Sequence, residues 1–209
     1  MDDQDLQPIS SPTAVKIVDA ASHLFLQRGY KAVSITDIIR AAEITKPTLY
    51  YYFSDKEELF AQMGLRVLAS MGAQLRAAMS IPGDTITRLQ AVASAMLADS
   101  NADMRMMRHE MFEHMGPANR DRLARAFYLH LYRPVLELME EGMATGVLTG
   151  RFSPLTLTNL FLSLTESFHE FKANSRMAAW SSEQSSPLAM PPLGPDQLVD
   201  LFLNGVRAS

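Results

Sequence analysis

The chain has no cysteine. Disulfides, zinc–thiolate sites and thiol nucleophiles are therefore excluded, and the composition fits a reducing compartment. Long hydrophobic runs are missing as well, and no apolar stretch reaches the ~20 residues needed to span a bilayer. The first residues, MDDQDLQP, are acidic with no apolar segment behind them, so they do not read as a secretory leader. A basic excess is also absent, since 19 Lys and Arg face 23 Asp and Glu for a formal net charge of −4. No glycine-rich phosphate loop and no nucleophile constellation occur. What remains is a chain of 209 residues, 47% of them apolar, with enough material for a packed core. The expectation is a cytoplasmic protein with no membrane span, no metal and no cofactor.

The apolar pattern is helical throughout. Residues 1–11 are polar and proline-containing and read as a loose tail. Ile17, Ala21, Leu24 and Phe25 recur at helical spacing, and Gly29 follows as a stop. Ser34 with Asp37 has the spacing of a capping pair for a second helix carrying Ile35, Ile38, Ile39 and Ala42. Thr45 caps a short third helix with Pro47 in its first turn and Leu49 and Phe53 facing inward. Ser54 with Glu57 predicts a capping box for a fourth helix, which carries Leu59, Met63, Val67, Met71 and Leu75 and runs to about Met79. Further helices are expected over roughly 84–99, 102–115, 118–145, 153–179 and 195–207, with a Ser- and Pro-rich loop at 181–195. No stretch alternates with period two, so no sheet is expected.

The third helix carries three consecutive tyrosines, Tyr50, Tyr51 and Tyr52. At about 100° per residue, a core-facing Leu49 sends Pro47 and Tyr51 almost directly outward. Lys46 and Tyr50 then share one flank, and Thr48 and Tyr52 the other. Water gains nothing from such a face. A DNA major groove would use all of it, with phenols and lysine on phosphates and the outermost side chains on base edges and thymine methyls. Two short helices at 34–42 and 45–53 form a helix-turn-helix, whose second helix usually enters the groove. Lys56 sits at the next helix start, where a phosphate also finds backbone N–H groups. Within residues 12–56 basic residues outnumber acidic ones by six to four, a sign opposite to that of the whole chain.

The stretch GYKAVSITDIIRAAEITKPTLYYYFSDKEELF resembles the DNA-binding module of the TetR family of transcriptional regulators. The resemblance rests on Gly29–Tyr30, the helix begun at Ser34, Ile38, the TLYYYF segment and the DKEELF opening of the next helix. It covers about residues 12–60; beyond it only helix layout and length agree. It implies that Thr36, Lys46, Pro47, Thr48 and Tyr51 reach bases or the groove. It implies that Ser34, Tyr50, Tyr52 and Lys56 hold phosphates, with Thr45 at the start of the reading helix. One departure stands out: the family usually places Gly in the inter-helix turn, and this chain has Glu43. A left-handed Glu43 would cost about 1 kcal/mol.

Elsewhere, Arg108 to His114 reads RHEMFEH. A zinc-protease motif would need His at position 113, where Glu113 stands. A metal site from His109, Glu113 and His114 would need further ligands such as His130 or His169, and a polar helix face is the simpler reading. The body is rich in methionine, and such a core is deformable and suits an adaptable apolar pocket. The family resemblance implies an effector pocket there. Met107, His109, Met111, Glu113, Phe127 and Tyr128 are its candidates, for an apolar or aromatic small molecule. The apolar faces at 153–179 and 195–207, with Leu160, Phe161, Leu164, Phe168, Leu201 and Phe202, imply a four-helix homodimer interface as in the family. The alternative is that they close the monomer's own core.

The fold expected is all-α. An N-terminal three-helix helix-turn-helix module (residues 12–58) joins a larger helical ligand-binding and dimerisation body (59–209). The function expected is a ligand-responsive, homodimeric repressor of transcription, not an enzyme, that binds double-stranded operator DNA and is released by a small effector. The rivals are a helical regulator answering to a protein partner or acting as an activator, and a metal-dependent enzyme using His109, Glu113 and His114.

Overall fold

The computed structural model describes residue 6 and residues 8–98, 113–178 and 194–206. Among these the chain is helical and forms no strand. The helices are α1 (Pro12–Arg28), α2 (Ile35–Ala41), α3 (Lys46–Tyr52), α4 (Lys56–Met79), α5 (Thr85–Met96), α6 (Pro117–Phe127), α7 (Arg133–Ala144), α8 (Pro154–Ala178) and α9 (Pro195–Val206). Two compact units divide the chain: Met1–Gly72 with Ser100–Leu131, and Ala73–Asp99 with Tyr132–Ser209. Among the described residues no helix is long and apolar enough to cross a membrane.

In the first unit α1, α2 and α3 pack on one another. Ile17, Ala21 and Phe25 of α1, Ile38 of α2, Leu49 of α3 and Phe53 just after it are almost fully buried. Leu59, Phe60 and Met63 at the start of α4 join them. Phe25 meets Phe60 edge to face at 5.3 Å, a pairing that suits the ring quadrupoles. The apolar stripe expected on α2 is narrower than four residues, because only Ile38 and Ala42 are buried and Ile35 and Ile39 are half-exposed. The start of the chain is not wholly loose. Leu6 is buried, and the Ile9 amide donates to Gln62 Oε1 at 3.0 Å.

In the second unit α5 packs on α9, and α7 on α8. Leu89 and Val92 of α5, Val135 and Leu138 of α7, Leu157 and Phe161 of α8, and Leu198 and Phe202 of α9 form its core. Arg88 of α5 forks onto the carboxylate of Glu141 of α7. That partner holds the Glu141 carboxyl below its usual range.

The sequence suggests one helix over 118–145, and the structure interrupts it. Tyr128–Tyr132 is a π-helical turn between α6 and α7. The reason lies just downstream at Pro134. Proline has no N–H for the carbonyl of His130, and its ring would crowd that carbonyl. A wider turn relieves the clash. The expected helix over 102–115 and the loop at 181–195 lie mostly outside the described residues.

The turn between α2 and α3 sets the angle of α3. Ile44 N–H donates to Ile39 O at 3.1 Å, and Glu43 N–H donates to Arg40 O at 3.2 Å. This pair of bonds is a Schellman motif, which needs a left-handed residue after the C-cap. Glu43 supplies it with φ 51°, the non-glycine residue in positive φ among those described. The conditional expectation for Glu43 is thus met, at a cost of about 1 kcal/mol relative to glycine. Its carboxylate lies 3.6 Å from Lys16 Nζ on α1, an exposed pair that contributes little. Glu43→Gly should therefore raise the urea midpoint of unfolding, by up to about 1 kcal/mol of stability. A lowered midpoint would show that the Lys16 pair outweighs the backbone strain.

Candidate nucleic-acid interface

Helix α3 has seven residues, too few to stand alone in water. Its ends are fixed from both sides. Thr45 Oγ1 accepts the Thr48 N–H at 3.3 Å, and the Phe53 N–H donates to Leu49 O at 3.0 Å. Leu49 is fully buried and Phe53 is 1% exposed, so the helix is held by one face. The opposite face is the one derived from the sequence. Tyr51 is 82% exposed and Tyr50 46% exposed; Thr45, Lys46 and Pro47 are exposed and Thr48 half-exposed. Lys46 Nζ stands 5.9 Å from the centre of the Tyr50 ring, which keeps ammonium and phenol on one flank as expected.

Tyr52 is less available than its flank position suggests. Its phenol oxygen accepts a bond from Ser11 Oγ at 3.3 Å, and its ring stands edge-on to Tyr51 at 4.9 Å. Tyr52 therefore braces Tyr51 and ties the start of α1 to α3. On α2, Thr36 is exposed. Ser34 is exposed too and closes the expected capping box: its Oγ accepts the Asp37 N–H at 3.2 Å while its own N–H donates to Asp37 Oδ2 at 3.0 Å. The Ser34 hydroxyl, donating to Asp37 Oδ2 at 2.5 Å, and the Ser34 N–H together hold the Asp37 carboxyl below its usual range. A depressed carboxyl contributes above its unfolded pKa, so this support fades as the solution is acidified through the folded value.

Lys56 departs from expectation. Its ammonium donates to Tyr30 O at 3.0 Å and Val33 O at 3.1 Å, and lies 4.1 Å from the Tyr30 ring centre. It fastens the loop before α2 to the start of α4 instead of facing outward. The capping box predicted from Ser54 and Glu57 is also displaced by one residue. Asp55 caps α4, accepting the Glu58 N–H at 2.8 Å. Glu57 is thereby released to accept from the Gly116 N–H and Asn119 Nδ2, both at 2.9 Å. Both Glu58 carboxylate oxygens accept from Arg122 Nη1 at 2.9 Å, and Oε1 also accepts from Gln62 Nε2 at 2.9 Å. Three consecutive residues thus grip the loop before α2, the N-terminal end of α6 and its second turn. Glu57, Glu58, Asn119 and Arg122 carry no local signal for this in the sequence, since each partner lies about sixty residues away.

The other sequence candidates are sorted as follows. Met107, His109 and Met111 lie outside the described residues. Glu113 is not inside a pocket: it is exposed, 3.8 Å from Lys31 Nζ and 3.3 Å from His114 Nε2. His114 stacks on Tyr30 at 5.4 Å. Burial raises the Tyr30 pKa, and the nearby Glu57 and Asp55 carboxylates raise it further, so the phenol stays protonated. Among the described residues no group of three or more metal-ligating side chains is assembled. Phe127 and Tyr128 are 38% and 48% exposed, and Tyr128 lines an open cavity. Of the interface candidates, Leu160 and Leu201 are exposed and Leu164 half-buried, while the Phe168 side chain lies outside the description. Phe161 and Phe202 are not surface residues. They are buried and meet edge to face at 5.3 Å inside their own unit, because α9 closes over α8 there.

Removing the Lys56 ammonium leaves two carbonyls short of a donor. Lys56→Met keeps the stem and should cost about 1–3 kcal/mol of stability. It should leave the slope of log DNA affinity against log salt unchanged. A slope flattened by about 1.8 for a dimer, with stability intact, would make Lys56 a phosphate contact after all.

Residues 17–63 match the family model described as bacterial regulatory proteins, tetR family. The chain is similar to the HTH-type transcriptional regulator AcrR of Shigella flexneri, with 29% identity over 44% of each chain. It is also similar to the HTH-type transcriptional activator FasR of Mycolicibacterium smegmatis, with 34% identity over 38% of this chain and 36% of that one. It thus spans less than half the length of either relative. Its fold is shared with the fatty acid degradation regulator FadR from Bacillus halodurans, at a TM-score of 0.74 and 17% identity over 96% of this chain and 100% of that one. With the capped α2, the buried Leu49 and the exposed tyrosine face, these likenesses show that residues 17–63 form a module of the tetR type found in bacterial regulatory proteins.

Proposed function

We propose that the protein is a cytoplasmic, homodimeric transcriptional regulator that binds double-stranded operator DNA through α3 of each copy. Residues 12–58 serve as the reading module, and 59–209 carry effector binding and dimerisation. The observation that carries this reading is the outward face of α3. A Tyr51 ring with 82% exposure beside Pro47, Tyr50 and Lys46 gains little from water and fits a groove. A dimer bound across two half-sites occludes the promoter, so repression is the natural sign, and an effector that favours another spacing of the α3 pair releases it. The likeness to the activator FasR supports activation as the second reading. A reporter gene downstream of the bound site, with and without the protein, separates the two.

Base reading and backbone holding fall on different tyrosines. Binding sites selected from random DNA should change for Tyr51→Ala, at about 1–3 kcal/mol per affected base pair. Tyr50→Phe deletes only a phenol oxygen, so affinity should fall with the preferred sequence unchanged. The reverse pattern would mean that α3 enters the groove on another face.

The dimer is assigned to Leu160, Leu164 and Leu201, with Phe161 and Phe202 backing them from inside. Leu160 and Leu201, 44% and 54% exposed, are large apolar side chains that a partner would cover. Leu160→Glu with Leu201→Glu should give a folded monomer in sedimentation, with operator binding weakened because two half-sites no longer act together. A double variant that stays dimeric would move the interface elsewhere.

A further inference from the structure

Asp121, Ala124, Arg125 and Tyr128 stand at the i, i+3, i+4 and i+7 positions of one face running from α6 into the π turn. Together they line an open cavity of about 530 Å³, large enough for a small organic molecule. Arg125 is the unusual member. Its Nη2 is buried with no hydrogen-bond partner, the single side-chain nitrogen or oxygen so placed among the described residues. Arginine stays charged at any physiological pH and offers five donors in a fixed fork. The buried Nη2 is itself closed to the cavity, but the rest of the Arg125 side chain lines it, so an anion there would meet a guanidinium that lacks one partner. Tyr128 adds an aromatic wall with a phenol, and it opens the π turn, a distortion that recurs at functional sites.

We propose that this cavity binds a monocarboxylate with an apolar body, its carboxylate on the Arg125 fork and its body against Ala124 and Tyr128. The proposal rests on the effector reading above and gives that effector its chemistry. Asp121, one turn from Arg125 on the same face, sets a limit. A second negative charge on the ligand would meet its carboxylate, so monoanions are favoured over dianions. This adds a carboxylate to the apolar or aromatic effector expected from the sequence, because that expectation did not include Arg125.

Calorimetric titration of the full chain without DNA tests it, with 4-phenylbutyrate as the probe and 4-phenylbutan-1-ol as its uncharged counterpart. The acid should bind about tenfold or more tightly than the alcohol. Arg125→Met should bring the acid down to the alcohol's affinity and leave the alcohol unchanged. Arg125→Lys keeps the charge without the fork and should fall between, which controls for a Met variant that folds poorly. Asp121→Asn should narrow the gap between 4-phenylbutyrate and the dianion phenylsuccinate. Equal binding of acid and alcohol, no binding of either, or acid binding untouched in both Arg125 variants would overturn the proposal. A DNA-release assay separates it from the effector reading. Acid that binds through Arg125 without loosening DNA leaves the site standing and removes its regulatory role. Release that persists in Arg125→Met does the opposite.

Discussion

The burial of Leu49 is the constraint on which the reading face depends. A seven-residue helix has no stability of its own, so α3 exists because Leu49 and Phe53 are packed beneath it. With Leu49 fixed, helical geometry leaves no freedom for the rest. Pro47 and Tyr51 must point away, and Tyr50 must lie on a flank. Three tyrosines in a row would be costly on a helix buried all round. They are tolerated here because only Tyr52 turns partly inward, where Ser11 satisfies its phenol. The same anchoring explains the strained turn. Glu43 holds its left-handed conformation because the bonds from Ile44 and Glu43 to α2 give α3 its direction, and the packing of Ile38 and Leu49 over-determines it.

The first turn of α4 is the second structural decision. Asp55 takes the capping role, which frees the next three side chains for distant partners. Lys56 holds the loop before α2, Glu57 the start of α6, and Glu58 Arg122 further along α6. Such charge-assisted bonds are short and directional. A displacement of α6 would act on α4 through Glu57 and Glu58, and on the loop before α2 through Lys56. The Arg125 cavity lies on that same helix, three residues past Arg122. The proposed ligand and the proposed reading module would be connected by one helix and one turn, a physical route for the coupling that the proposed function requires.

Local signals were legible in the sequence, and distant ones were not. The caps at Ser34 and Thr45, the stop at Gly29 and the orientation of Leu49 depend on neighbours within four residues, and each appears where the pattern puts it. The left-handed turn at Glu43 was visible as a departure from a family that favours glycine. Reading Ser54 and Glu57 as a capping box failed because two adjacent residues, Ser54 and Asp55, offer capping oxygens, and only tertiary partners for Glu57 decide between them. The π turn depends on the clash between Pro134 and the carbonyl of His130, which apolar periodicity does not register. Phe161 and Phe202 follow the alternative reading, closing the core of their own unit, for a related reason. A helix face broad enough to be apolar all round does not say which side a second copy would cover. Arg125 carries no signal of its own, since one arginine on a polar helix looks solvated until its surroundings are known.

The central claim is that Tyr51 leaves solvent only when DNA is bound. Hydroxyl-radical oxidation of the protein, read by mass spectrometry with and without a selected DNA fragment, measures this directly. The account predicts that Tyr51, the most exposed of the three tyrosines, loses most of its reactivity on DNA, with Tyr50 protected less and Phe53 unreactive in both states. Equal oxidation of Tyr51 in free and DNA-bound protein would contradict it.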